Sequence, residues 1–231
     1  MITTILERQN AGARTVVLAT VMVLILFGAP EIGAQEVLVG GRIEPAVGWI
    51  SGSDWADAID YLDDNFAGEP HKPRFSFSGG AVFAFGVTPG LALQAEILIS
   101  HLGGNYSYDY TGITVEGNQR ATLLQIPLFL KPRVATAAGD FYFLLGPTVG
   151  IFLSDITYEE SAMGLSVEDE IEPDNSVIAG LAVAVGHEWE LARGAFGAEI
   201  RYTRQLTDTT EDFNARQNSV GLGLSYLQRV K

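Results

Sequence analysis

The sequence contains no cysteine, so neither a disulfide bond nor a cysteine-linked lipid anchor is available to it. Basic residues are also scarce, since 14 Lys and Arg stand against 28 Asp and Glu and leave a net charge of −14. A chain this acidic is poorly suited to nucleic acid, and we predict no nucleic-acid partner. Beyond residues 1–34, no apolar run is long enough to cross a membrane as a helix.

The N-terminal region, residues 1–34, has the pattern of a secretory signal peptide. Arg8 and Arg14 precede the apolar run Val16–Phe27, which is too short to span a membrane, and Ala34 offers a small residue for cleavage. We therefore predict that residues 1–34 are removed and that residues 35–231 form the mature domain. A single anchoring helix is the alternative interpretation.

Segment 175–206 shows the clearest structural pattern of the mature domain. From Val177 to Trp189, apolar residues alternate with Gly, Ala and Glu, and Phe196–Tyr202 repeats the alternation with Glu199 and Arg201 on its second face. Because successive side chains of a strand point to opposite faces, each run predicts a strand with one apolar face and one small or charged face. A membrane-spanning barrel, with lipid outside and a narrow polar interior, requires this combination.

The same alternation recurs along the chain and predicts eight strands. Besides the two arms of 175–206, the predicted strands are Val37–Ser51, Phe75–Thr88, Leu91–Tyr110, Arg120–Val134, Phe141–Ser154 and Asn218–Leu227. Short connections (89–90, 136–140, 192–194) alternate with long polar ones (53–74, 111–119, 155–174, 207–217). We predict an all-β fold, an eight-stranded antiparallel up-and-down transmembrane β-barrel in the outer membrane. Three prolines inside strands, Pro45, Pro127 and Pro147, predict local bulges.

Nine charged residues fall on the predicted inward faces: Arg42, Lys131, Arg133 and Arg201 with Glu44, Glu96, Glu188, Glu190 and Glu199. Because the two signs are nearly balanced, we predict that these residues pair in a buried ionic network with a structural role. An eight-stranded barrel is about filled by its own side chains, so a wide pore does not fit. A narrow water path stays open as an alternative.

Aromatic residues fall on the predicted outward faces near both rims. One set is Phe141, Phe143, Trp189, Phe196 and Tyr226; the other is Trp49, Phe75 and Phe77, with Tyr106, Tyr108 and Tyr110 beyond it. These positions predict the two aromatic belts that lie at the membrane–water interfaces, and therefore outer-membrane lipid as a partner.

The long connections contain most of the acidic residues. Connection 53–74 includes Trp55–Leu62, whose apolar spacing predicts a short amphipathic helix over the barrel mouth. Connection 155–174 has eight carboxylates and no Lys or Arg. We interpret it as a solvated surface loop; a divalent-cation or partner site is the alternative, although no calcium-loop motif is present. We predict no cofactor and assign no metal ligand.

The three histidines, His71, His101 and His187, do not stand beside a nucleophilic serine in a recognisable catalytic motif. We therefore predict that the protein is not an enzyme, and we assign no catalytic residue. An outer-membrane enzyme remains a remote alternative. A soluble lipocalin-like carrier is another, but it would need its apolar faces inside.

Several segments together resemble the β-barrel domain of the PorT-like "porin family" proteins of Bacteroidetes-type bacteria. The segments are LALQAEILIS, LLQIPLFLKPRV, FYFLLGPTVGIFLS, GLAVAVG, GAEIRYTRQL and NSVGLGLSYL, and they place family motifs at Gln94–Glu96, Ile126–Lys131 and Gly146-Pro147. Strand 218–227 is similar to the signal that the barrel-assembly machinery recognises, although Gln228–Lys231 extend past the usual terminal aromatic residue. The resemblance implies a barrel more firmly than a transport activity.

The resemblance also implies a role and partners. We expect the protein to act in envelope integrity, in surface contact, or as an accessory of a secretion or gliding apparatus, as some PorT-like relatives do. A narrow porin-like channel is the alternative function. The expected partners are the barrel-assembly machinery during biogenesis and an envelope protein bound through the extracellular loops.

Overall fold

A computed structural model describes residues 36–54, 61, 67–110, 112–208 and 216–230. These residues form β1 (Glu36–Ser51), β2 (Ala67–Lys72), β3 (Arg74–Thr88), β4 (Leu91–Tyr110), β5 (Ile113–Thr136), β6 (Gly139–Phe152), β7 (Ile156–Ala162), β8 (Leu165–Ile171), β9 (Val177–Leu191), β10 (Gly194–Gln205) and β11 (Arg216–Val230). The predicted signal peptide lies outside the described residues, as does most of the predicted helix Trp55–Leu62. No helix in the described ranges is long and apolar enough to cross a membrane.

Eight of the strands close into a ring, which confirms the predicted eight-stranded antiparallel barrel. Their order around the ring is β4-β3-β1-β11-β10-β9-β6-β5, and β5 pairs back with β4. Each neighbouring pair is antiparallel. A closed ring has no edge strand, so the backbone groups of the ring pair with one another and need no water.

The two ends of the ring differ in how the strands are connected. At one end, two-residue turns join β3 to β4, β5 to β6 and β9 to β10. We call this the short-turn end. At the opposite end, long segments join the ring strands β1 to β3 (52–73), β6 to β9 (153–176) and β10 to β11 (206–215), and we call it the long-connection end.

Burial follows the predicted alternation of faces. On β9, Ala182 and Ala184 are buried, whereas Leu181 and Val185 are each 42% exposed. On β10, Gly197, Glu199 and Arg201 are likewise buried, whereas Phe196 and Ile200 are exposed. On β11, Gly221 and Gly223 are buried, whereas Val220 and Leu222 are exposed. The outward face of the barrel therefore carries large apolar side chains, as predicted. The inward face carries the charged and small residues, together with buried apolar side chains such as Leu144.

The predicted bulges at Pro45, Pro127 and Pro147 are wrong. The register of β1 on β11, and that of β5 on β6, is the same on both sides of the proline, although the pairing is interrupted beside it. Pro147 pairs with Leu181 without a shift. Proline removes one hydrogen-bond donor, but the residues that flank it on both strands still hold the register.

The remaining three strands extend the barrel wall at the long-connection end. β2 pairs with the far part of β4, β7 pairs with the far part of β5, and β8 pairs with β7. We call these strands, with residues 105–110 and 113–120, the outer sheet. Connections 111–119 and 155–174 were predicted as loops, and this is wrong, because both lie largely in strands of the outer sheet.

Candidate functional site

The centre of the barrel interior holds an ionic network around Glu96 of β4. Its carboxylate is fully buried and accepts hydrogen bonds from two arginines on other strands. Arg42 Nη1 lies 3.1 Å from both Glu96 oxygens, and Arg201 Nη1 and Nη2 each lie 2.8 Å from one of them. Gln94 Nε2 donates a further bond of 2.6 Å. The predicted pairing of the inward charges is therefore confirmed here.

Two more carboxylates complete the neighbourhood of these arginines. Glu199 Oε1 lies 3.0 Å from Arg42 Nη1 and 2.9 Å from Arg201 Nε. Its second oxygen accepts a hydrogen bond of 2.8 Å from the Tyr142 hydroxyl. Glu44 forms an ion pair with Arg42 and lies 3.6 Å from Arg201. Each guanidinium thus serves three carboxylates, which offsets the cost of burying so many charges.

A separate ion pair joins Lys131 of β5 to Glu188 of β9. The Lys131 Nζ–Glu188 Oε1 distance is 2.6 Å, and both side chains are almost fully buried. Lys131 Nζ also lies 4.3 Å from the centre of the Tyr142 ring. Because Tyr142 in turn donates to Glu199, this ring connects the pair to the central network.

Glycines on β11 provide the space that the network occupies. A Cβ on Gly221 would lie 2.6 Å from Glu44 Cγ, and a Cβ on Gly223 would collide with the Arg42 guanidinium. Any other residue at these two inward positions would therefore displace a charged side chain. This explains why large charged residues and glycines share the inward face of the sequence pattern.

Apolar side chains fill much of the interior that the sequence pattern assigned to polar groups. One buried cluster consists of Phe129, Tyr142, Leu144, Ala182 and Ala184, and a second of Leu38, Val82, Ala84 and Leu227. The Phe129 ring lies 4.6 Å from the Arg201 guanidinium. Sequence analysis missed the contribution of Gln94, Phe129 and Tyr142 to the site. Their inward parity was the available signal.

Two of the predicted inward charges do not belong to the central network. Arg133 lies at the short-turn rim, 3.9 Å from Glu36 and 3.8 Å from Asp140. Glu190 is exposed at the same rim and, with these residues, lines an open recess of about 550 Å³. The predicted participation of Glu190 in a buried network is wrong, because the barrel wall ends near Leu191 and the carboxylate reaches solvent.

Two contacts bridge the interior at its long-connection end. Gln217 Nε2 of β11 donates a 2.9 Å hydrogen bond to the Gly103 carbonyl of β4, although β1 and β3 lie between these strands in the ring. Ile50 packs against Gly104 beside it. Beside this contact, a cavity of about 20 Å³ lined by both polar and apolar residues has room for about one water molecule.

The outer sheet has one largely aromatic and apolar face and one polar, acidic face. The register places Tyr106, Gly117, Glu160 and Val167 in one row across four strands. The next row on the opposite face is Asn105, Asn118, Glu159 and Glu168. The Tyr106 ring crosses Gly117, where a Cβ would collide with it, and its hydroxyl donates a 2.6 Å hydrogen bond to Glu160. Tyr106 thereby fixes β7 to the β4–β5 hairpin.

Electrostatics in the outer sheet differ from those of the interior. Burial, followed by the contact with the Glu160 carboxylate, raises the pKa of Tyr106 above its usual range. The carboxylates of β7 and β8 spread along both strands, and in the described part of the chain no group of three or more acidic or histidine side chains could hold a metal ion. The divalent-cation alternative for 155–174 therefore gains no geometric support.

His101 and His187 lie apart from the ionic network. His101 Nδ1 is 3.2 Å from Thr122 Oγ1 on the outward face. The His187 ring centre lies 4.7 Å from that of Trp189, which stacks on Phe196 at the short-turn end. The His71 side chain falls outside the described residues.

Comparison with known proteins identifies the family. The family described as "Outer membrane protein beta-barrel domain" matches residues 61–211. The chain belongs to this family. As an outer membrane β-barrel protein, it lies in the outer membrane, with its outward apolar side chains against lipid. The outward aromatic residues at both ends, such as Phe75, Phe141 and Tyr226, are exposed at the positions predicted for the belts.

Solved structures similar to this barrel protein come from three bacteria. The attachment invasion locus protein Ail of Yersinia pestis, solved with the heparin analogue sucrose octasulfate, is 13% identical, with 84% of this chain and 99% of that chain covered and a TM-score of 0.37. Neisserial surface protein A is 12% identical (81% and 96% covered, TM-score 0.39). OprG of Pseudomonas aeruginosa is 13% identical (81% and 95% covered, TM-score 0.32). A search of curated proteins found no match.

Proposed function

We propose that this outer-membrane barrel is closed to solutes and has a structural or interactive role, anchoring the outer sheet at the cell surface. The observation that carries the proposal is the ionic network, in which side chains of β1, β4 and β10 meet within the interior. A channel needs a continuous water path along the axis. Here the buried charges hold one another, and separating them to admit a solute would leave unpaired charges in a narrow interior.

The contact across the mouth supports the same proposal. The hydrogen bond from Gln217 to the Gly103 carbonyl spans the long-connection end, which in an outer-membrane barrel faces the outside, and supports a closed mouth. The outer sheet then continues beyond this point and carries the side chains that meet the exterior. An anchored sheet fits surface contact and envelope integrity better than transport.

A closer relationship to PorT-like proteins is part of the proposal. Two of the three motifs on which that resemblance rests supply residues of the ionic interior. The motif Gln94–Glu96 supplies both of its polar residues, and the motif Ile126–Lys131 supplies Lys131. Accessory work for a secretion or gliding apparatus, as in some PorT-like relatives, is consistent with a closed barrel. The proposed role is not enzymatic, and biogenesis would use the barrel-assembly machinery.

Single-channel recording in planar bilayers tests the proposal. Protein from the outer-membrane fraction, shown to be folded by a shift in gel mobility on boiling, is expected to give no conductance steps above those of lipid alone. The triple variant R42A/E96A/R201A removes the central side chains and serves as the insertion control. If it retains heat-modifiable mobility, it is expected to conduct.

The opposite result identifies the alternative function. Regular conductance steps from the unmodified protein would contradict a closed barrel and would establish a narrow porin-like channel. The variant Gln217→Ala then distinguishes the contact across the mouth from the ionic network as the element that limits conductance. If conductance rises when only the mouth contact is removed, the network does not block the path.

A further inference from the structure

The outer sheet ends on β8, whose backbone offers an open edge. β8 pairs with β7 on one side, and in the described part of the chain no strand pairs with its other side. The connecting turn, Met163-Gly164, has positive φ angles of 54° and 80°, as a two-residue type I′ hairpin requires. Ala162 and Leu165 therefore form the hydrogen-bonded pair that closes the hairpin.

That register decides which groups of β8 face the open edge. Leu165, Val167, Asp169 and Ile171 exchange backbone hydrogen bonds with β7, because such pairs alternate along an antiparallel ladder. The N–H and C=O groups of Ser166, Glu168 and Glu170 point the other way. The Asp169 carboxylate accepts the Glu170 N–H at 3.0 Å. The amides of Ser166 and Glu168 remain directed at the open edge.

The side chains of β8 leave this edge accessible. Leu165 and Val167 are 76% and 71% exposed on one face, and Ser166, Glu168 and Glu170 are exposed on the other. Natural edge strands are usually blocked by charged side chains, lysine above all, by proline, by a bulge or by a covering segment. The charged side chains of β8, Glu168, Asp169 and Glu170, are all acidic and therefore oppose an acidic strand but not a basic one. β8 contains no lysine or proline, and its register on β7 is unshifted. The open edge of β8 is therefore available for backbone pairing with another strand.

Charge selects the kind of strand. Segment 155–174 contains eight carboxylates and no Lys or Arg. A second copy of β8 would place acidic residues opposite acidic residues, which destabilises strand pairing. A partner strand with basic side chains on that face would instead place cations near Glu170 and near Glu168, whose carboxylate also lies 3.0 Å from Arg120 Nη2. Its alternate apolar side chains would pack on Leu165, Val167 and Ile171.

We infer that β8 binds an extended basic segment of another protein by strand addition, in which apolar residues alternate with Lys or Arg. Backbone hydrogen bonds to Ser166 and Glu168 provide the pairing, and the exposed faces of β8 select the sequence. The inference rests on the proposed anchoring role, because it names the partner that the anchored sheet holds.

The test uses the full mature protein in detergent and a synthetic nine-residue peptide of alternating Val and Lys. Fluorescence anisotropy at physiological ionic strength measures binding, so that weak long-range attraction is screened. The Val–Lys peptide is expected to bind, and a peptide of alternating Val and Glu is not. Equal binding of the two peptides, or no binding of the first, would overturn the inference.

Two substitutions at one position separate strand addition from charge attraction. Glu168→Pro removes an edge-directed N–H without removing a bond to β7, and it is expected to weaken binding by at least about tenfold. Glu168→Gln removes the same charge but keeps the N–H, and it should weaken binding by less than about fivefold. Gel mobility before and after boiling confirms that both variants fold. Equal losses would mean that charge alone is recognised, which would overturn strand addition.

Hydrogen exchange gives a readout that does not depend on variants. The amides of Ser166 and Glu168 are expected to exchange quickly in the free protein and to become protected when the Val–Lys peptide is added. Protection already present in the free protein would show that the edge is occupied and would contradict the inference. If the barrel does not conduct and the peptide does not bind, only this inference is contradicted. If the barrel conducts, the proposed function is contradicted.

Discussion

The barrel interior and the outer sheet use the same carboxylate chemistry in opposite ways. In the interior, Glu96 is fully buried and held by two guanidinium groups and an amide. In the outer sheet, the pair Arg120–Glu168 has a comparable distance, 3.0 Å, but both side chains are about half exposed. Removing one partner of an ion pair in the barrel interior leaves a buried charge that water cannot reach. In the outer sheet, water takes the place of the lost partner. The same ion-pair geometry therefore stabilises the two regions very differently.

The largest expected effect comes from breaking the centre of the network. Glu96→Gln removes the charge that faces Arg42 and Arg201 and should lower the free energy of unfolding by about 3–5 kcal/mol. Unfolding in urea, followed by loss of the folded band on unboiled gels, measures the shift. Glu116→Gln makes the same substitution at an exposed residue of the outer sheet and should change it by under about 0.5 kcal/mol. Similar shifts for the two variants would mean that burial does not separate the regions.

A double-variant cycle sharpens the comparison at the second ion pair. Lys131→Met and Glu188→Met should each destabilise the barrel by about 3 kcal/mol, because each leaves a buried charge unpaired. The double variant replaces the pair by apolar side chains and is expected to be more stable than either single variant. Urea unfolding of all four proteins measures this. Strictly additive losses would show that the two side chains do not depend on each other.

The smallest effect is expected in the outer sheet, at Tyr106. Tyr106→Phe removes the hydrogen bond to Glu160 and should weaken the docking of β7 by about 0.5–1.5 kcal/mol without changing barrel unfolding. Hydrogen exchange of the β7 amides is the measurement, and the β10 amides are the internal control. Equal acceleration in both strands would contradict a local role.

The pH dependence of the same contact has a defined sign. Because the pKa of Tyr106 is raised in the folded protein, the stabilisation is complete below the ordinary tyrosine pKa of about 10. It declines as the pH rises above that value, since the unfolded state then loses a proton that the folded state retains. In the unmodified protein, the β7 amides should therefore exchange faster above this pH, after correction for the intrinsic pH dependence of exchange. In Tyr106→Phe this additional acceleration should be absent.

Sequence analysis predicted the eight ring strands and their faces because each strand separates two environments. Lipid on one side and a crowded interior on the other impose a two-residue period, which is visible in single segments such as Val177–Trp189. The same reasoning failed in the outer sheet. There both faces of β8 are exposed, so the alternation of Leu165 and Val167 with Ser166 and Glu168 carries no requirement for burial, and the segment was interpreted as a loop.

The candidate site was predicted only in part, for a related reason. Parity placed Arg42, Glu96 and Arg201 inside, but it could not tell which of them meet, because β1, β4 and β10 come together only when the ring closes. It also placed Glu190 inside, since alternation continues past the rim where the interior ends. Tyr142 was missed because it is uncharged, so a comparison of positive and negative inward residues does not reveal its hydrogen bond to Glu199.

From the sequence alone we could predict the eight ring strands, their inward and outward faces and the end at which the turns are short, because these depend on neighbours along the chain. The three further strands of the outer sheet, β2, β7 and β8, were not predicted. The folded structure was needed to establish three further features: the ion pairs, the contact of Gln217 with the Gly103 carbonyl across the mouth, and the open edge of β8. Each of these depends on the distance between segments far apart in sequence, and closure of the ring sets that distance.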